Sequence, residues 1–203
     1  MTAAAGRPAA ADLDRCLPQT QCTACGYPSC RDYAEAMAAG RADLNRCPPG
    51  GEVTVQLLAK ALRAPAKPLA ADVPAPMPRS VARIVEAECI GCALCTPACP
   101  TDAIVGAAKT MHSVIAARCT GCGLCLPPCP MDCIELRPAA AGEGGPWRDY
   151  SMAEAENFRA YKQARDRRLQ QRRDKNKMPL SAMRIREQIS AAVARVRARR
   201  ADL

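Results

Sequence analysis

ECIGCALCTPACP at 88–100 and RCTGCGLCLPPCP at 118–130 are one segment written twice, thirty residues apart. Each copy follows C-x2-C-x2-C-x3-C-P, as Cys89, Cys92, Cys95, Cys99 and Pro100, then as Cys119, Cys122, Cys125, Cys129 and Pro130. Three thiolates at i, i+3 and i+6 on a tight loop can reach three irons of one iron–sulfide cube. The proline carries the fourth away toward a second cube. The ligand sets therefore cross: Cys89, Cys92, Cys95 and Cys129 hold one [4Fe–4S] cluster, and Cys99, Cys119, Cys122 and Cys125 hold another. Gly91, Gly121 and Gly123 let the backbone approach, so that N–H groups can bond to sulfur. A pair of zinc sites built from CxxC units would need neither two complete copies nor the proline after each.

The repeat extends beyond the cysteines. Ile84–Val85 and Val114–Ile115 precede the copies, and Ala103–Val105 and Cys133–Leu136 follow them. One copy reads as strand, cluster loop, short helical turn, strand. The spacing is similar to that of bacterial two-cluster ferredoxins, and the resemblance over 81–137 implies an α+β domain with a pseudo-two-fold axis.

A separate module lies in front. Cys22, Cys25, Cys30 and Cys47 follow C-x2-C-x4-C-x16-C, the last within CPPGG. Three ligands close in sequence and one distant ligand can enclose a third cube, and by spacing alone they can also hold zinc. The spacer RDYAEAMAAGRADLNR (31–46) predicts a helix with Tyr33, Ala34, Met37 and Ala38 turned inward and Gly40 ending its first part. The stretch LPQTQCTACGYPSCRDYAEAMAAGRADLNRCPPGG resembles the [4Fe–4S] module in the B subunit of Rnf/Rsx-type electron transport complexes. AIVGAAKTMHSVIAARCTGC in the second module is similar to the same family, and the likeness covers 13–137. It implies three [4Fe–4S] clusters, transfer of single low-potential electrons, and partner subunits that couple redox chemistry to ion translocation. It also implies a hydrophobic anchor at the front, which MTAAAGRPAAADLD at 1–14 does not supply.

Composition agrees with a metal-stapled chain. Of 203 residues 14 are Cys, while aromatics make up 3%, with one Trp and one Phe. So few large apolar side chains leave small modules in need of metal or disulfides. No stretch approaches the roughly 20 apolar residues of a membrane helix, and residues 1–14 lack the apolar run of a secretory signal. The expected compartment is the cytosol, where thiols bind metal more readily than they pair. The net charge of +9 falls entirely within 151–203, which hold 15 Lys and Arg against 6 Asp and Glu. Cubes ligated by four thiolates carry about −2 each when oxidised, which makes the front acidic and leaves the tail basic.

Read as domains, the chain runs from a disordered 1–11 through the front module (12–63) and a Pro/Ala-rich linker (64–80). The ferredoxin domain (81–138), a second linker (139–147) and a basic helical tail (148–203) follow. Residues 64–78 hold five Pro and five Ala and could span about 45 Å if fully extended. Pro179 is expected to divide the tail into two helices. Ile185, Ile189, Ala192, Val193 and Val196 make an apolar stripe among arginines, able to lie on an anionic membrane surface or an acidic partner. The tail lacks the interleaved aromatics and motifs of a nucleic-acid binder, which leaves a regulatory, nucleic-acid-binding role the weaker reading.

The remaining candidates read as structural. Cys133 aligns with Ala103 and is expected to be a packed thiol, and Cys16 an incidental one. His112, the one histidine, sits between the copies, where it could tune a cluster by hydrogen bonding but is expected to be a connector side chain. Asp102 and Asp132 are expected to cap the turn after each Cys-Pro. No acid–base pair, Ser–His arrangement or phosphate loop suggests a reaction of the chain's own, so the expectation is an electron carrier. It would serve within an ion-translocating complex or as a free polyferredoxin.

Overall fold

The computed structural model describes residues 7–76, 78–139, 145–147, 149–177 and 182–201. Two compact units divide the chain, Met1–Arg165 and Asp166–Leu203.

The first unit begins with three helices, α1 (Ala10–Arg15), α2 (Cys30–Ala38) and α3 (Gly51–Leu62). Their apolar faces meet in a core of Leu13, Leu17, Tyr33, Met37, Val55 and Leu58. Ser29 caps α2, its hydroxyl accepting from the Asp32 N–H at 3.1 Å, and Gly40 follows the helix at φ 71°, where a side chain would be strained. Tyr33 and Met37 turn inward as the helical period requires, with Ala34 beside them, while Ala38 is only half-buried. The Tyr33 hydroxyl donates to the Asp43 carbonyl at 2.7 Å and accepts from the Arg46 N–H at 3.2 Å. That pair of bonds folds the end of the spacer back onto α2 and returns the chain to Cys47.

Residues 67–72, within the Pro/Ala-rich stretch, are tied to the same loop. Asn45 donates to the Pro68 carbonyl at 2.7 Å, the Ala70 N–H donates to the Asn45 carbonyl at 3.0 Å, and Arg46 pairs with Asp72 at 2.7 Å.

The repeat forms two antiparallel ribbons. β1 (Ser80–Ile84) pairs with β4 (Ile134–Pro138), with Ile84 opposite Ile134. β2 (Ile104–Val105) pairs with β3 (Ser113–Val114). Each ribbon joins the strand before one copy to the strand after the other. One-turn 3₁₀ helices, Glu86–Glu88 and Ala116–Arg118, deliver Cys89 and Cys119 at nearly equal backbone angles, φ −77°, ψ 113° and φ −76°, ψ 120°. The short helix α4 (Cys95–Ala98) has only turns as its counterpart. Pro127 and Pro128 stand there, and Pro128 has no N–H for a helical bond. Asp102 and Asp132, the expected caps, stand just after each Cys-Pro. Both occupy left-handed backbone, φ 51° and 47°, and Asp102 faces Arg165 at 3.4 Å.

α5 (Met152–Lys177) opens with a capping box. The Ser151 hydroxyl accepts from the Glu154 N–H at 3.1 Å, and the Glu154 carboxylate accepts from the Ser151 N–H at 2.9 Å. Its first turns belong to the first unit. Trp147, Tyr150, Ala155 and Phe158 form a small core with Leu57 packed against it, and the Trp147 indole donates to the Thr54 hydroxyl at 2.7 Å. Arg159 pairs with the buried Asp14 at 2.7 Å. Arg118 lies over the Tyr161 ring at 5.0 Å.

The second unit holds the rest of α5 and α6 (Ala182–Ala201). Ile189 and Val193 of the apolar stripe are exposed, and Pro179 lies outside the described residues. No helix among the described residues is long and apolar enough to cross a membrane.

Candidate cluster sites

Two small cavities of matching size lie in the ferredoxin-like part. The first is lined by Cys89, Cys92, Cys95 and Cys129, with Ile84 and Ile134 among its apolar neighbours. The second is lined by Cys99, Cys119, Cys122 and Cys125, with Ile104 and Leu136. Each cavity thus takes three cysteines from one copy and the fourth from the other, the crossed sets that the spacing predicts. Backbone N–H groups already point at sulfur: Ala82 donates to Cys119 Sγ at 3.3 Å and Ala103 to Cys99 Sγ at 3.2 Å. Gly121 admits the close approach. A Cβ on it would lie 2.2 Å from the Ser80 carbonyl oxygen.

The front set is built by a buried polar chain. Gln19, Gln21 and Thr23 all have left-handed backbone, φ 60°, 56° and 61°, a conformation costing roughly 1–2 kcal/mol for each such residue. Hydrogen bonds hold it. The Gln19 amide donates to the Asp14 carbonyl at 2.8 Å and to its carboxylate at 2.9 Å, and the Gln21 amide donates to Gln19 Oε1 at 2.9 Å. Gln21 Oε1 in turn accepts from the Cys30 N–H at 3.2 Å. The loop carrying Cys22 and Cys25 is thereby fastened to the start of α2, while Arg46 donates to the Cys25 carbonyl at 3.3 Å. Cys25 and Cys47 are buried, and Cys22 and Cys30 half-buried.

Electrostatics state what these sites need. Burial pushes the Cys30 and Cys47 thiols well up, and neighbouring cysteines raise them further. Burial likewise raises Cys122 to about 11 and Cys125 to about 12. Cys89 moves the other way, held below its ordinary value by the backbone N–H groups of His112 and Gly91. Buried thiolates crowded together require positive charge among them, and iron supplies it. All fourteen cysteines are free of disulfides. Among the described residues no three His, Cys, Asp or Glu side chains close to the distance of a single metal ion. The thiol-only donor sets fit an iron–sulfur cube.

Two side chains read as structural belong to the first cavity. Cys133 lines it, its Sγ 3.5 Å from Cys129 Sγ, and burial raises this thiol to about 12. His112 lines it as well, buried, with Nδ1 3.8 Å from Cys89 Sγ. Cys16 keeps apart, its thiol 3.5 Å from the Asp12 carbonyl. Gln19 and Gln21 carried no recognisable signal beyond their place in LPQTQC.

Residues 82–136 match a 4Fe-4S dicluster domain family, and residues 17–49 match an Fe-S cluster family. Among curated proteins, the B subunit of an ion-translocating oxidoreductase complex from Azoarcus sp. is 59% identical over 133 residues, covering 66% of this chain and 73% of that protein. The chain belongs to this B-subunit family. A member from Pseudomonas paraeruginosa is 60% identical over 135 residues, 66% of the chain and 70% of that protein. A third member, from Thiobacillus denitrificans, is 58% identical over 109 residues, 54% of the chain and 58% of that protein's length. No solved structure matches the chain. The two matched regions fall in order along the chain, the Fe-S cluster region first and the 4Fe-4S dicluster domain second.

Exposure differs among the cysteines. Cys92 is exposed, at the rim of the first cavity beside Ile90. Cys22 and Cys122 line one further cavity together with Tyr150 and Pro48.

Proposed function

We propose that the three cysteine sets each hold one [4Fe–4S] cluster, and that the chain relays single electrons as the B subunit of an ion-translocating oxidoreductase complex. The carrying observation is the pair of matched cavities, each lined by a crossed four-cysteine set. Bound clusters would supply a one-electron couple at low potential. The protein's own contribution is burial, N–H groups aimed at sulfur, and fixed spacing. The cavity shared by Cys22 and Cys122 supports an order in which the front cluster neighbours the Cys119 set and the Cys89 set comes third. The exposed edge at Cys92 suits exchange with a redox partner protein.

The near-equal approach angles of Cys89 and Cys119 and the two reciprocal ribbons support a pseudo-two-fold dicluster domain. The front module (12–63), the dicluster domain (81–138) and a basic tail from 148 are its functional divisions. The arginine-rich tail would hold the protein on anionic lipid or on acidic faces of other subunits, at the cytoplasmic side of a membrane. Co-purification with membrane subunits from cells expressing a tagged chain tests the assembly. A chain that is never recovered with membrane partners, yet reduces and reoxidises normally, would be a free polyferredoxin instead.

A further inference from the structure

The Cys89 cavity differs from its twin in the side chains that face its sulfur ligands. His112 donates its backbone N–H to Cys89 and also brings Nδ1 to 3.8 Å from Cys89 Sγ. Its repeat counterpart is Ala82, whose N–H makes the matching bond to Cys119 Sγ at 3.3 Å and whose methyl adds no donor. The opposite strand explains how the ring fits. A Cβ on Gly106, next after β2, would lie 2.5 Å from His112 Cδ2. The counterpart of Gly106 is Leu136, which pairs with Ala82. Small and large residues have changed places between the ribbons, and only one ribbon leaves room for the imidazole.

A second difference lies at the fourth ligand. Cys133 Sγ sits 3.5 Å from Cys129 Sγ, where the other copy has Ala103. With Cys129 bound to iron as thiolate, Cys133 is the member of the pair that retains a hydrogen to donate. The threonines do not cancel these differences. Thr96 and Thr120 each follow a ligand, one in each set, so their hydroxyls do not distinguish the two cavities. Thr101 lies 3.7 Å from Cys99 Sγ but donates its hydrogen to the Arg118 carbonyl at 2.7 Å.

We propose that His112 and Cys133 make the Cys89-set cluster the more easily reduced of the pair, so that it is the electron sink of the dicluster domain. The inference rests on the reading that both sets hold [4Fe–4S] clusters. Reduction adds negative charge to a cluster and its thiolates, and donors aimed at sulfur stabilise that charge. In the transfer, the Cys119-set cluster loses one electron and the Cys89-set cluster gains it. His112 and Cys133 bias that exchange without touching substrate, as positioning and tuning residues.

The test is a redox titration of the intact, cluster-loaded chain followed by EPR. A Cys119→Ser variant assigns which signal belongs to which set. Cys133→Ala installs the residue that the other copy tolerates, and His112→Phe keeps a ring while removing the donor. Each is expected to lower the potential of the Cys89-set cluster alone, shifting the electron partition about tenfold, or about 59 mV for a one-electron couple. His112→Asn, which restores an N–H donor, should recover part of the shift and decides the matter if the Phe variant loses iron. Unchanged potentials in iron-replete Cys133→Ala and His112 variants, or a shift in the other cluster, would overturn the proposal. Wild-type protein without iron would defeat the underlying cluster reading instead.

Discussion

Gln21→Ala isolates the device that builds the front site. Gln21 accepts from the Cys30 N–H at 3.2 Å and donates to Gln19 Oε1 at 2.9 Å, the first bond partly and the second fully shielded from water. Removing the amide leaves two polar groups without partners, at about 1–3 kcal/mol each. It also unfastens a loop in which Gln19, Gln21 and Thr23 keep left-handed backbone. Opening of the Cys22–Cys25 loop should therefore become easier by about 2–6 kcal/mol, and the lower bound alone is more than twentyfold in an opening equilibrium. The assay is anaerobic loss of iron to a chelator, followed by absorbance and iron analysis. About four of about twelve irons should leave at least about twentyfold faster than in wild type, with the remainder unchanged. Gln21→Glu keeps the acceptor for Cys30 and should fall between. Equal release rates for Gln21→Ala and wild type would refute the claim that this chain of amides positions the front ligands.

Other outcomes follow from the same geometry. Arg159→Leu strips the buried Asp14 of its charged partner and should cost about 3 kcal/mol, read as an earlier anaerobic thermal transition. Gly121→Ala drives a methyl to 2.2 Å from the Ser80 carbonyl and should abolish the Cys119-set cluster. Gly123→Ala shares the strain of a left-handed φ, 72°, but meets only Leu136 at 3.7 Å; it should keep the cluster, and iron counts separate the two. In iron-free protein the raised thiols of Cys122 and Cys125, at about 11 and 12 against an ordinary 9.0, set a pH limit. Their contribution to stability is complete below pH 9, where unfolded thiols are protonated. It is lost as pH climbs toward 11–12, where the unfolded chain ionises first. Urea midpoints of apo protein should fall between pH 8 and pH 10.5, and those of loaded protein should not.

Much of the molecule was legible because ligand spacing is a strict geometric code. The interval of three between Cys89, Cys92 and Cys95 and the proline after Cys99 state which sulfurs can share a cube, and the cavities carry those sets. The period of the spacer likewise disclosed Tyr33, Ala34 and Met37. The hidden parts depend on contacts distant in sequence. Trp147 and Phe158 read as linker and tail, yet they pack beside Leu57, because their partners lie about a hundred residues away. Arg159 gave no sign of Asp14 for the same reason. Gln19 and Gln21 look like ordinary loop glutamines until the backbone curls left-handed and brings their amides into line. The short polar side chains of Asp102 and Asp132 tolerate the left-handed turn that follows each Cys-Pro. Cys133 read as inert because the repeat aligns it with Ala103, and His112 because a lone histidine between the copies is usually a connector; their contacts with sulfur set the two cavities apart.

Electron transfer through this chain depends on what the twelve proposed ligand cysteines hold. Iron and acid-labile sulfide should be counted on oxygen-free, full-length protein, alongside EPR after reduction. Three cubes require about twelve of each per chain and the signals of reduced [4Fe–4S] clusters. A colourless protein carrying zinc, with neither iron nor sulfide, would contradict that assignment.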